Sequence, residues 1–463
     1  MITSMGHWEG VLRDVRCDVT KAVPVVELVA ALLRVAKRDP RNTNADVLAA
    51  SLFARLASLE ESVDRVVRRW VARGRIEYLS KGEVAELVRI LDTTRAAHTS
   101  RPEPHDGAMG LVTARILDAY LGPSFIDYFR GERELSPGDP FPVVPFPDEH
   151  LDEAEARAVV AALGERTGDP RNRTTWDDRV VHLRLADDQV GRIRVRLIWA
   201  DPWLEPTTAR STFASAVTNP RLDEFEWTEY DEGERKLFYG VRAKDVATQR
   251  ARIETTVQLA RRDRPSVVVF PELALTPDLL IALTKTAGFA ELPLVIAGSY
   301  HEAVEGQKPG RNISVVFAHG KELHRHYKFS DFHANAGGGT RRHENLVRDA
   351  NTQGFDVLIA PRATAVVMIC KDVFDERIQY LLQHLAPNLV AVPAMSPDTD
   401  DFVALAERLA RSPQALTLVA CAASPAGAIF GRPSHEPVAA AVTTVPVMVI
   451  FGLDGSHKTY ELQ

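Results

Sequence analysis

Cysteine is scarce: 463 residues hold three, Cys17, Cys370 and Cys421. They are odd in number, far apart and in no paired spacing, so neither a disulfide framework nor a cysteine-based metal site is expected. An excess of positive charge is missing too. The net charge of −7 supplies no bulk field for a polyanion, and nucleic-acid binding is not expected. No apolar run approaches the length needed to cross a bilayer without meeting a charge or a proline. The opening MITSMGHWEGVLRDVRCD lacks the basic-then-apolar order of a secretory signal. Together these absences predict free thiols, no membrane partner and a cytoplasmic protein.

What is present is an ordinary globular balance. Hydrophobic residues make up 45% and charged residues 26%, enough for a large core, and the length leaves room for more than one domain. VVELVAALLRVAKR, ADVLAASLFARLASLEESVDRVVRRWVARG and KGEVAELVRILDTTRAAH repeat apolar residues every three or four positions, which predicts helices. Asn44 is a candidate cap for the second and Gly74 its stop. LVTARILDAYLGPSFIDYF continues the helical pattern. GERELSPGDPFPVVPFPDEH, dense in proline and glycine, reads as an irregular connection, and a short helix is expected over 151–165.

Beyond that point the texture changes. DRVVHLRLADDQVGRIRVRLIWADP alternates in two arms about Asp187-Asp188 or Gly191, which predicts a hairpin. Helix candidates and short Val/Ile runs then follow each other to the end of the chain, among them SVVVF, LPLVIAG, NISVVFA, FDVLIAP, TAVVMIC, NLVAVPA, LTLVACAA and PVMVIFGL. Such runs signal sheets covered by helices. The expected domains are a mainly helical one over 1–135, a Pro/Gly-rich connection with a short helix over 136–180, and an α/β domain over 181–463.

Three of these runs end on a reactive side chain. SVVVFPEL places Glu272 just past a strand, where α/β sites form, although Pro271-Glu272 would also suit a helix start. KELHRHYKFSDFH places Lys328 between Tyr327 and Phe329; the alternative is a solvated hairpin arm, and His324 and His326 lack a matching carboxylate set for a metal. TAVVMICKDVFDE ends on Cys370, with Lys371 and Asp372 directly after it, so its thiol is expected at a cleft near free backbone N–H groups. Cys421, by contrast, reads as core. A thiol, a carboxylate and a fixed amine are what attack on an unreactive carbon–nitrogen bond needs.

In these residues the chain resembles the carbon–nitrogen hydrolase, or nitrilase-like, superfamily. The marks are Phe270-Pro271-Glu272, Tyr327-Lys328 and Cys370-Lys371-Asp372 in that order, and the resemblance covers about residues 190–463. It implies a four-layer α-β-β-α sandwich, a Glu272-Lys328-Cys370 triad, a thioester or thioimidate on the cysteine, no metal and no cofactor. It also implies a small amide or nitrile substrate and a homodimer or higher oligomer. Asn312 matches a structural or pocket-edge asparagine, Met395 and Ser396 fall in a pocket-shaping loop, and Glu344 is the best match to a second site glutamate. Lys371 and Asp372 are candidate supporting residues. The chain departs from the pattern after the cysteine, where Val373-Phe374-Asp375-Glu376 replaces a Phe-Pro-Glu, and in the long, glycine-rich interval between Lys328 and Cys370. The leading expectation is an amidase. The alternatives are an N-acyltransferase, or a regulatory protein whose helical domain binds a protein partner through a basic stretch such as RVVRRWVARGR.

Overall fold

The computed structural model describes residues 7–38, 56–97, 106–144, 180–200 and 211–462, except 16, 19, 75, 181, 220, 234, 304–308, 336–340, 362, 397–398, 412–414, 423–425, 432–435 and 443–444. The expected cap at Asn44, the helix over 151–165 and most of the Pro/Gly-rich connection lie outside the described residues. Two compact units divide the chain: residues 1–130 with 135–191, and residues 131–134 with 192–463.

The first unit is helix-rich. Its described helices are His7–Asp14, Val25–Arg38, Ala57–Val71, Lys81–Ala97 and Asp106–Leu121. Val25–Arg38 and Asp106–Leu121 are apolar nearly all round, as helices packed inside a core are. They cross closely at Gly110, where a Cβ would sit 2.9 Å from the Leu32 carbonyl oxygen. Gly74, with φ 117°, does follow the end of Ala57–Val71.

The second unit is α/β, with large mixed sheets flanked by helices. A seven-stranded sheet runs in the order Lys321–Tyr327, Gly310–Ala318, Leu294–Ala303, Val267–Val269, Thr212–Val217, Val447–Gly452 and His457–Glu461. An eight-stranded sheet runs in the order Val438–Val442, Ala426–Gly431, Leu416–Ala422, Leu389–Met395, Ala363–Val367, Gly354–Ala360, Arg194–Trp199 and Glu132–Glu134. The two sheets meet face to face. Phe430 of the second stacks between Phe213 and Phe451 of the first, with ring centroids 5.3 and 5.4 Å apart, and Ser215 Oγ donates to the Val419 carbonyl at 3.0 Å. Helices Val246–Asp263 and Pro277–Lys285 pack on the seven-stranded sheet, and Asp400–Arg411 packs on the eight-stranded one. Covered on both sides, strands such as Leu389–Met395 and Leu416–Ala422 are buried throughout, which is why they read as unbroken apolar runs.

One expectation is corrected. The hairpin about Asp187 does not form. Leu183–Leu185 pairs with Pro140–Pro142, whereas Arg194–Trp199 lies parallel to Gly354–Ala360. Alternation reports a half-buried strand but not its partner. At Gly354 a Cβ would stand 1.9 Å from the Arg194 carbonyl oxygen, so this pairing requires glycine. The strand beside Val267–Val269 is Thr212–Val217. Its sequence TFASAV, rich in small residues, carries little strand signal. KLFYGVR belongs to Arg235–Ala243, in a small four-stranded sheet with Phe225–Glu232, Arg341–Glu344 and His333–Asn335.

Candidate active site

Glu272 arrives at the end of a buried strand. Val267–Val269 stops, Phe270 and Pro271 continue the chain, and Glu272 donates its backbone N–H to the Ala394 carbonyl at 3.2 Å, tying one sheet to the other. No helix begins there; the next starts at Pro277, capped by Thr276. Leu273 takes a left-handed φ of 58° and donates its N–H to Ser299 Oγ at 3.1 Å. Gly298 makes this turn possible, since with φ 67° any Cβ would lie 2.2 Å from the Pro271 carbonyl oxygen.

Lys328 follows strand Lys321–Tyr327 and donates its backbone N–H to the Asn312 carbonyl at 2.9 Å. It is no solvated arm: the side chain is wholly buried. Nζ donates to Glu272 Oε1 and to Glu344 Oε2, each at 2.6 Å. Asn312 Nδ2 donates to the same two carboxylates, to Glu272 Oε1 and Glu344 Oε1, each at 2.9 Å. Glu344 also accepts from the Phe332 N–H at 3.1 Å.

Cys370 opens a single helical turn, Cys370–Phe374, after strand Ala363–Val367. Its φ is 47°, a left-handed backbone unfavourable for a side-chain-bearing residue. Sγ lies 3.8 Å from the Met395 carbonyl oxygen, and the charges of Glu272 and Lys328 both act on the thiol. Sequence order places these groups 56 residues (Glu272 to Lys328) and then 42 (Lys328 to Cys370) apart; in the fold Lys328 contacts Glu272, and the charges of both reach the Cys370 thiol.

The other residues singled out by sequence fall into distinct places. Asp372 is fully buried and fastens two elements. Oδ1 accepts from the N–H groups of Phe329 and Ser330 at 3.2 and 2.8 Å, and Oδ2 accepts from His326 Nε2 at 3.1 Å and the Ile369 N–H at 3.4 Å. It therefore pins the Lys328 strand end to the Cys370 turn. Lys371, half-buried, takes no part in this network. Met395 supplies the carbonyl facing Cys370, and its side chain joins an apolar cluster with Phe225, Phe238, Val241, Leu273 and Ala422. Ser396 donates its N–H to the Ala422 carbonyl, and its own carbonyl accepts from Cys421 Sγ. His324 faces Asp356 at 3.3 Å. Among the described residues no cluster of three or more His, Cys, Asp or Glu is arranged around a metal position.

Cys370 is not at an open cleft. It is 3% exposed, and Glu272 and Glu344 are as deeply buried. Burial, and then the Glu272 charge, push the thiol well above the ordinary cysteine range, against the downward pull of Lys328. Burial thus works against the thiolate expected at a strand tip. Burial likewise raises Glu272 above the usual carboxyl range, with Lys328 opposing and Glu344 adding to the rise. Glu344 goes the other way. Burial works upward, but the Lys328 cation and the His301 hydrogen bond outweigh it and hold Glu344 low. Lys328, despite burial, is held well above its ordinary value by Glu272 and Glu344. The result is a lysine cation shared by two carboxyl groups, one held low by its charge and the other raised by burial. Cys421 is core, pushed up to about 12 by burial.

Sequence reasoning missed His301, in the strand Leu294–Ala303. Its Nε2 lies 2.9 Å from Glu344 Oε1, and it stands directly across the ladder from Asn312. The only signal in GSYHEA is a polar residue at the end of an apolar run.

No family model matches the chain and no curated protein matches it. Solved structures do show a likeness. An amidase from Nesterenkonia sp. AN1, in complex with acrylamide, is 14% identical with a TM-score of 0.39, over 53% of this chain and 92% of that one. A Saccharomyces cerevisiae member of branch 10 of the nitrilase superfamily is 14% identical with a TM-score of 0.36, over 56% and 93%. A glutamine-dependent NAD+ synthetase from Acinetobacter baumannii is 14% identical with a TM-score of 0.37, over 53% of this chain and 46% of that one. The chain thus resembles nitrilase-superfamily structures over about half its length, and its N-terminal region is unmatched.

Proposed function

We propose that the protein is a hydrolase of non-peptide carbon–nitrogen bonds, acting as an amidase through a thioester on Cys370. The observation that carries this reading is the meeting of Glu272, Lys328 and Cys370, from three separate strand ends, in one buried cluster. On this reading Glu272 accepts the proton of the Cys370 thiol as sulfur attacks the amide carbon. Lys328 and the backbone N–H after Cys370 meet the negative charge that develops on the amide oxygen. The carbon–nitrogen bond breaks, the proton passes from Glu272 to the leaving nitrogen, and ammonia or an amine departs. Water then gives a proton to Glu272 and attacks the thioester carbon; the carbon–sulfur bond breaks, Glu272 passes that proton to the sulfur, and the acid leaves with thiol and carboxylate restored. Burial supports this assignment, because charges in a dry site act strongly on a reacting centre.

Two facing sheets with helices on their outer sides support reading the second unit as a four-layer α-β-β-α sandwich. The test is ammonia release from a panel of primary amides such as acetamide, propionamide and benzamide. Wild-type protein is expected to release ammonia, with Cys370→Ala and Lys328→Met reduced to background. Release by Cys370→Ala at the wild-type rate rules the mechanism out.

A further inference from the structure

Two carboxylates share one lysine and one asparagine here, yet the mechanism asks different things of them. Glu272 must take a proton and give it back; Glu344 must keep Lys328 in place. The hydrogen bonds show where the symmetry breaks. The Lys328 and Asn312 donors to Glu272 both fall on Oε1. Among the described residues Glu344 has four donors: Asn312 Nδ2 and His301 Nε2 at Oε1, Lys328 Nζ and the Phe332 N–H at Oε2. Of these four, Lys328 and Asn312 are shared, and Phe332 contributes backbone alone. His301 is the one side chain among them that engages Glu344 without touching Glu272.

Its setting is built for this contact. The His301 side chain is 2% exposed and Glu344 1%, so water does not compete for the bond. Among the described residues Nδ1 has no hydrogen-bond partner, and a neutral imidazole beside a carboxylate then carries its proton on Nε2, the atom facing Glu344. Phe238 packs against the ring, with centroids 6.0 Å apart, and the register places His301 opposite Asn312.

We infer that His301 is a positioning residue that divides the labour between the two glutamates: by donating to Glu344 it commits that carboxylate to Lys328 and leaves Glu272 to receive the thiol proton. The inference rests on the proposed roles of Glu272 and Cys370, but its test does not depend on finding the substrate. Iodoacetamide, itself a small primary amide, alkylates a cysteine as the thiol loses its proton and iodide leaves. Peptide mass mapping reads Cys370 and Cys421 separately in one sample.

His301→Leu is expected to slow Cys370 labelling about tenfold or more, the scale of a buried hydrogen bond to a charged group. His301→Gln, which keeps a donor, should restore the rate to within about threefold, and Cys421 labelling should stay constant throughout. In a Glu344→Gln background, His301→Leu should add little further, because the histidine acts through that glutamate. If His301→Leu fails to fold, His301→Asn, too short to reach Glu344, takes its place with the same expected loss. Wild-type labelling in the donor-free variant, equal loss in the Leu and Gln variants, or an undiminished effect without Glu344 each overturns the inference. Absence of ammonia release from the amide panel bears instead on the hydrolase reading, and the labelling comparison still decides the role of His301.

Discussion

Glu272 and Glu344 touch the same ammonium group, yet their protons behave in opposite ways. A carboxyl raised in the folded state contributes stability below its unfolded pKa and loses that contribution as pH rises through the folded value. A depressed one contributes above its unfolded pKa and loses its contribution as pH falls. Glu272→Gln is therefore expected to leave stability unchanged or higher near neutral pH, its advantage growing as pH climbs from the ordinary carboxyl value of 4.5. Glu344→Gln is expected to cost about 3 kcal/mol near neutral pH, as breaking a buried ion pair does, with the cost shrinking on acidification. Urea denaturation at several pH values reads both, and shifts of the same sign contradict the assignment. Backbone strain gives a second test. Cys370 holds φ 47°, so Cys370→Gly should be more stable than Cys370→Ala by about 1 kcal/mol, reversing the usual order. The burial of Cys370 was not legible, because the charged residues after it signal a strand leaving the core but not the turn that folds it back.

At the scale of elements, the strands that deliver the site are held by contacts the sequence does not advertise. Pro271 can turn toward Glu272 only because Gly298 leaves its carbonyl room. Gly298→Ala should cost roughly 3 kcal/mol or more and cut Cys370 labelling by iodoacetamide as Glu272 moves away; a variant with wild-type melting and labelling contradicts this role. The runs SVVVF, TAVVMIC and NLVAVPA were legible as strands because both faces are covered and leave no polar alternation. TFASAV was not, since Ala and Ser lack the bulk that marks a strand, and the false hairpin at Asp187 shows that periodicity carries no information about partners. His301 was invisible for a related reason: its importance lies in a residue 43 positions away.

At the scale of the whole molecule, two compact units each carry their own apolar core. Gly110→Val, which places a side chain against the Leu32 carbonyl, should lower protection from hydrogen exchange in the helices of the first unit alone. Gly298→Ala should do so in the second unit alone. Loss of protection spread equally over both units in either variant contradicts separate cores. The helical character of the first unit was readable from its three- and four-residue spacing, and the α/β character of the second from its short apolar runs. The joining of the sheets was not, because it depends on pairings between strands far apart in sequence, such as Arg194–Trp199 with Gly354–Ala360. The most direct check on the central reading is acid quenching during reaction with a primary amide, followed by peptide mass mapping. The account predicts an acyl group on the Cys370 peptide and none on those of Cys17 or Cys421; ammonia release without any acyl group on Cys370, and with turnover intact in Cys370→Ala, contradicts it.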